Sequence, residues 1–174
     1  ITLKAIFLGI ILSIILAGAN AYLGLFAGMT VSASIPAAVI SMGVLAMFKR
    51  SNIFENNIVQ TAASAGESLA AGVIFTIPAL VLMGYWQDFN YMEVAKIAAI
   101  GGLIGVLFTV PLRRAFIVEA KLKYPEGIAT AEVLKAGDEA RSGKTADAKN
   151  GLKTIAVAGL VGGAMKLAEQ GFAM

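Results

Sequence analysis

From Phe54 to Met83 the chain carries 30 mostly apolar residues with a polar stripe and a carboxylate near their middle, and this stretch restricts the fold most. As a helix it would extend about 45 Å, more than the roughly 30 Å of hydrocarbon in a bilayer. Such a segment must tilt, break or re-enter. Gly66, Gly72 and Pro78 are the positions at which it could do so. Within the wider stretch Asn52 to Trp86, the residues Asn57, Gln60, Thr61, Ser64, Glu67 and Ser68 recur at three- and four-residue steps, so they share one helical face. Ala, Val, Leu and Ile fill the opposite face. An ionisable group at the depth of Glu67 points to ion or substrate handling.

Composition fixes the class. Hydrophobic residues make up 58% of the chain and charged ones 14%, against about a quarter charged in ordinary soluble domains. The mean hydropathy is +0.80. An integral membrane protein follows, all-α, a polytopic transmembrane helical bundle. Cysteine and histidine are both absent, which removes disulfide frameworks, Cys/His zinc sites and Ser-His or Cys-His catalysis. No enzymatic residue set, cofactor site or metal site is expected. The net charge of +3 lacks the basic-aromatic interleaving of a nucleic-acid surface. The chain begins at Ile1 and stops inside an apolar segment, so a piece of something longer is expected.

About five membrane segments emerge in order. The first covers about 5–26, with Lys4 at its start, and it leads straight into a second over about 31–48, which excludes a cleavable signal. The third covers about 54–83 and ends at Tyr85-Trp86, aromatics of the kind that mark a membrane-water interface. The fourth covers about 94–112 and ends at Pro111 before Arg113-Arg114. Residues 113–150 are too polar to span and form a loop with amphipathic helices; a fifth segment starts within 151–174. If the spans alternate, Lys4, Lys49, Arg50, Arg113, Arg114, Lys121, Lys123, Lys135, Arg141, Lys144, Lys149 and Lys153 share one side, which is then the cytoplasm. The expected location is the inner (plasma) membrane, multi-pass, with a cytoplasmic amino terminus and loop 113–150. Lys96 and Lys166 lie near the outer parts of their spans.

Small residues spaced by four, Gly24/Gly28, Gly101/Gly105 and Gly159/Gly163, permit close helix approach or unwinding beside a pathway. Gly137 to Thr145 imitates a phosphate loop, but five residues separate its glycines where four are needed, and a helical pattern precedes it. A solvated linker is the better reading. Glu67 is a proton carrier, a cation ligand, or half of an ion pair with Lys96 or Lys166. Asn20 and Tyr22 are polar within an apolar span and face either a pathway or a neighbouring helix. In the loop, Pro125 stops one helix, Glu126 and Thr130 open another, and Ala129, Val133 and Ala136 give it an apolar stripe.

Four blocks then carry a resemblance: Asn20 to Thr30, Asn57 to Glu67, Pro111 to Arg114, and Leu122 to Leu134. In that order they resemble the amino-terminal part of the oligopeptide transporter (OPT) superfamily, its prokaryotic and yellow stripe-like branches above all. The resemblance implies a secondary transporter of well over a dozen spans, of which this would be the first third or so. It implies inward movement of small peptides or metal-chelate complexes, typically with protons, any metal arriving already chelated. By motif it carries over Asn20, Tyr22, Gln60, Ser64 and Glu67 in the membrane, and Tyr124, Pro125, Glu126 and Gly127 in the loop.

The resulting expectation is a secondary active transporter working by alternating access. Its substrate and proton pathway would include Glu67, Ser64, Gln60, Asn57, Asn20 and Tyr22, with Glu67 as the coupling group. Its partners would be substrate, protons and lipid, with no nucleic acid; homo-oligomer formation stays open. A non-transporting scaffold with Glu67 in a structural ion pair is the alternative, and a channel is weaker because no ring of charges or filter-like segment is present.

Overall fold

The computed structural model describes residues 2–48 and 52–142, with isolated helical positions between 154 and 168; the side chains of 140–142 are outside the description. The fifth segment, Lys49, Arg50, Lys144, Lys149, Lys153, Lys166, the Gly159/Gly163 pair and the end of the Gly137 to Thr145 stretch lie outside the described residues. The regular elements are helices: α1 Leu3–Ala27, α2 Ser34–Ala46, α3 Ile53–Leu82, α4 Tyr91–Arg113 running into a π-helical turn Arg114–Glu119, and α5 Pro125–Ser142. α1, α3 and α4 with its π-helical turn are long and apolar enough to cross a membrane; α2 is shorter. The protein is an all-α transmembrane helical bundle.

Local chemistry sets the helix ends. α1 stops where Gly28 takes φ 69°, a left-handed conformation a side chain disfavours, and its N–H reaches back to the Gly24 carbonyl. Asn52 caps α3 by accepting from the Glu55 N–H at 3.0 Å, and Asn90 caps α4 by accepting from Met92 N–H at 3.1 Å. α3 runs unbroken through Gly66, Gly72 and Pro78 over about 45 Å.

α1 and α3 run parallel, side by side along their whole length. Thr2 meets Glu55 at one end, Gly9 meets Ala62, Gly66 meets Ser13, and Gly24 meets Ile74 towards the other. Small residues permit this approach, because a methyl added at Gly66 would stand 1.8 Å from Ser13 Oγ. Among the described residues, Gly9, Gly24 and Gly66 are closely packed, while a Cβ at Gly101 or Gly105 would have no neighbour within 4 Å.

α2 runs antiparallel to both, with Ser34 beside Ser64 and Ser41 beside Asn56. Ala5, Leu12, Ala37, Leu45, Val59 and Ala63 form the core between these three helices. The second segment, expected over 31–48, thus contains a 13-residue helix of only about 20 Å, preceded by the non-helical residues Met29–Ala33. Those residues carry the chain from the far end of α1 back to mid-depth on α3. In the loop expected over 113–150, α5 lies parallel to α2: Glu126 meets Ser32, and Gly137 abuts Met42. The outward faces of α1 and α4 are apolar and exposed, with Phe7, Ile14, Leu103 and Leu107 among them.

Candidate functional site

The site forms where α2 starts. Ser34 is the first residue of α2 and lies beside Ser64, their hydroxyl oxygens 3.1 Å apart. One turn further along α3, Glu67 is buried at 8% exposure, about 21 Å from Ile53 by helical rise and so near the middle of α3. Its carboxylate accepts a hydrogen bond from the Ala33 N–H and lies within reach of the charge on Glu126. The amino end of a helix leaves N–H groups without intrahelical partners and carries a partial positive charge, so a carboxylate is favoured there. Glu126 stands in the first turn of α5 and accepts from the Ser32 hydroxyl. Two helix amino ends and two carboxylates therefore meet on the turn Ser32-Ala33-Ser34.

Asn20 holds that turn from the other side. Its amide Nδ2 donates to the Val31 carbonyl at 2.8 Å, and the Val31 N–H donates to Asn20 Oδ1 at 3.0 Å. Backbone groups outside a helix have no water to turn to at membrane depth, so a side chain must supply their partners. Asn20 does this while only 5% exposed.

Of the residues expected at the site, Glu67, Ser64, Asn20 and Glu126 converge here. Pro125 opens α5, and Gly127 lies beside Tyr124, whose ring lines a separate groove with Thr109, Leu112 and Phe116. Tyr22 points elsewhere, stacked on Phe26 with ring centres 5.9 Å apart and itself 62% exposed. Asn57 is exposed and Gln60 half-buried, on the same face of α3 as Ser64 and Glu67 but one or more turns nearer its amino end. Among the described residues no lysine or arginine pairs with Glu67, and no three His, Cys, Asp or Glu side chains are grouped to hold a metal ion.

Ser32, Ala33 and Ser34 were missed by sequence reasoning. The available signal was Ser32-Ala-Ser-Ile-Pro36, small hydroxyl residues followed by proline, which starts a helix well inside a span. Also missed was the other end of the α1/α3 pair, where Glu55 is 5% exposed, with Lys4 Nζ 2.9 Å from Oε2 and Thr2 Oγ1 donating to Oε1 at 2.7 Å. The Lys4 ammonium also lies 5.9 Å from the centre of the Phe48 ring.

Membrane-length apolar helices, with a buried carboxylate and a non-helical segment at mid-depth, define a multi-pass α-helical membrane protein. The chain belongs to the oligopeptide transporter (OPT) family, whose description, OPT oligopeptide transporter protein, matches residues 1–171. It is similar to a putative oligopeptide transporter of Haemophilus influenzae, 52% identical over 86% of this chain and 23% of the relative. It is also similar to the metal-nicotianamine transporter YSL3 of Arabidopsis thaliana, 32% identical over 75% of this chain and 23% of the relative. The putative oligopeptide transporter YGL114W of Saccharomyces cerevisiae is 30% identical over 77% of this chain and 21% of the relative. The chain thus spans less than a quarter of the length of these curated relatives. No solved structure matches it. The family is one of transporters, not enzymes.

Proposed function

We propose that the chain forms the first part of a proton-coupled secondary transporter that takes up small peptides or metal-chelate complexes by alternating access. The observation that carries this reading is the burial of Glu67 at mid-depth, against the amino end of a half-length helix and a non-helical segment. Broken helices whose amino ends meet at the bilayer midplane are how secondary transporters build a site that both sides can reach in turn. A carboxylate there can take up a proton from one side and release it to the other. The names of the relatives, oligopeptide transporter and metal-nicotianamine transporter, support the two substrate classes. The scaffold alternative needs a cation beside Glu67, whereas Lys4 is engaged with Glu55 and, among the described residues, Glu67 has no basic partner.

For orientation we propose that Arg113, Arg114, Lys121 and Lys123 face the cytoplasm, since Gln87 to Tyr91 at the opposite turn contains no basic residue. A cysteine replacing Asp88 should then react with an impermeant maleimide added outside intact cells; reaction from the inside alone would reverse the topology.

The test of function uses the full-length parent in proteoliposomes, with trialanine or iron-nicotianamine outside and an inward proton gradient. Wild type is expected to accumulate one of them, and Glu67→Gln only to equilibrate it. Equal accumulation by both would make Glu67 structural. Uptake of neither by wild type would sink the transporter reading.

A further inference from the structure

Resting on the transporter reading, we infer that the non-helical segment Met29–Ala33 is the moving gate of the site, with Asn20 its fixed anchor and Glu126 its releasable latch. Three different helices hold this short segment, and they hold it unequally. α1 holds it through the Asn20 pair, which is buried, neutral and doubly bonded. α3 holds it through Glu67 at the Ala33 N–H. α5 holds it through the single bond between Ser32 and Glu126, and that bond is exposed.

The mounting of α5 suits it to release. Thr130 and Leu134 are buried and Gly137 is tight against Met42, so the body of α5 is seated on α2. Its first turn is different: residues 124–129 are all exposed, and Glu126 bonds the Ser32 hydroxyl. Glu67 and Glu126 are the titratable groups facing the segment, whereas α1 and α2 bring Asn20 and Ser34, which do not titrate. Proton or substrate binding at Glu67 thus acts on the same short segment that Glu126 holds. Val31 is 60% exposed and Ser32 is exposed as well. Non-helical backbone at membrane depth is tolerated where protein buries it or where it lines a water-filled cavity.

The latch is tested by tying it shut. This part of the chain contains no cysteine. In a full-length parent stripped of any cysteine elsewhere, Ser32→Cys and Glu126→Cys are joined by a short bis-methanethiosulfonate linker, and joining is read by mass. Uptake of whichever of trialanine and iron-nicotianamine wild type accumulates is then measured. Loss of uptake on linking, restored by reductant, is the expected result. Full uptake by linked protein overturns the gate, and failure to link overturns the contact. Wild type run alongside separates this outcome from failure of the transporter reading itself. If the unlinked double variant does not transport, Ser32→Cys alone decides: its labelling by an impermeant maleimide should speed up with substrate and gradient, and an unchanged rate overturns the inference.

Discussion

Asn20 and Val31 are joined twice, by an amide that donates to the Val31 carbonyl at 2.8 Å and accepts from its N–H at 3.0 Å. The pair imitates one rung of a β-ladder inside a helical bundle. It holds the only stretch between α1 and α2 that no helix satisfies.

Truncating Asn20 should therefore be costly. Asn20→Ala leaves a buried donor and acceptor without partners, at about 1–3 kcal/mol for each group that water cannot reach. The unfolding midpoint of the detergent-solubilised parent, followed by size-exclusion fluorescence, is expected to fall clearly. Asn20→Asp keeps the acceptor for Val31 N–H and should fall between. A midpoint unchanged in Asn20→Ala would mean that the pair adds nothing.

A second prediction concerns Lys4 and Glu55, which fasten the starts of α1 and α3. Removing the cation in Lys4→Met leaves a buried carboxylate uncompensated. The expected loss is about 3 kcal/mol, the low end for a broken buried pair because the Lys4 side chain is itself 28% exposed. Adding Glu55→Gln should recover most of it. Single variants whose losses simply add in the double variant would show that the pair is not coupled.

These two contacts mark what a sequence can reveal. The long apolar runs and the carboxylate near the middle of the third were legible because each depends on residues close in the chain; the second carboxylate of that helix, Glu55, and its capping Asn52 were not picked out. The partner of Lys4 was not: Glu55 bonds Lys4 and also Thr2, 53 positions before it, and only the parallel packing of α1 on α3 joins them. Sequence reading put Asn20 on a pathway or against another helix; its partner is backbone, which carries no sequence signature.

The α1/α3 contact supplies the third prediction. A methyl at Gly66 would stand 1.8 Å from Ser13 Oγ and 3.0 Å from Ser13 Cβ, so Ser13 must turn away and the helices give slightly. Gly66→Ala is expected to destabilise by about 1–3 kcal/mol, the usual cost of overpacking. Adding Ser13→Gly moves the small residue to the other helix and should restore the melting point. If the double variant melts no higher than Gly66→Ala, the clash is not the cause.

The sequence by itself determined that the chain enters a membrane on long apolar helices and that a carboxylate lies within the third. Those properties follow from hydrophobic length and local capping, which act over a few turns. Only the tertiary structure decided that α2 is a half-length helix starting at mid-depth, and that Glu67 and Glu126 meet across Ser32 and Ala33. Helix register across an interface is set by how small residues such as Gly66 and Gly137 let backbones approach. That approach is a property of two surfaces together, and neither surface specifies it alone.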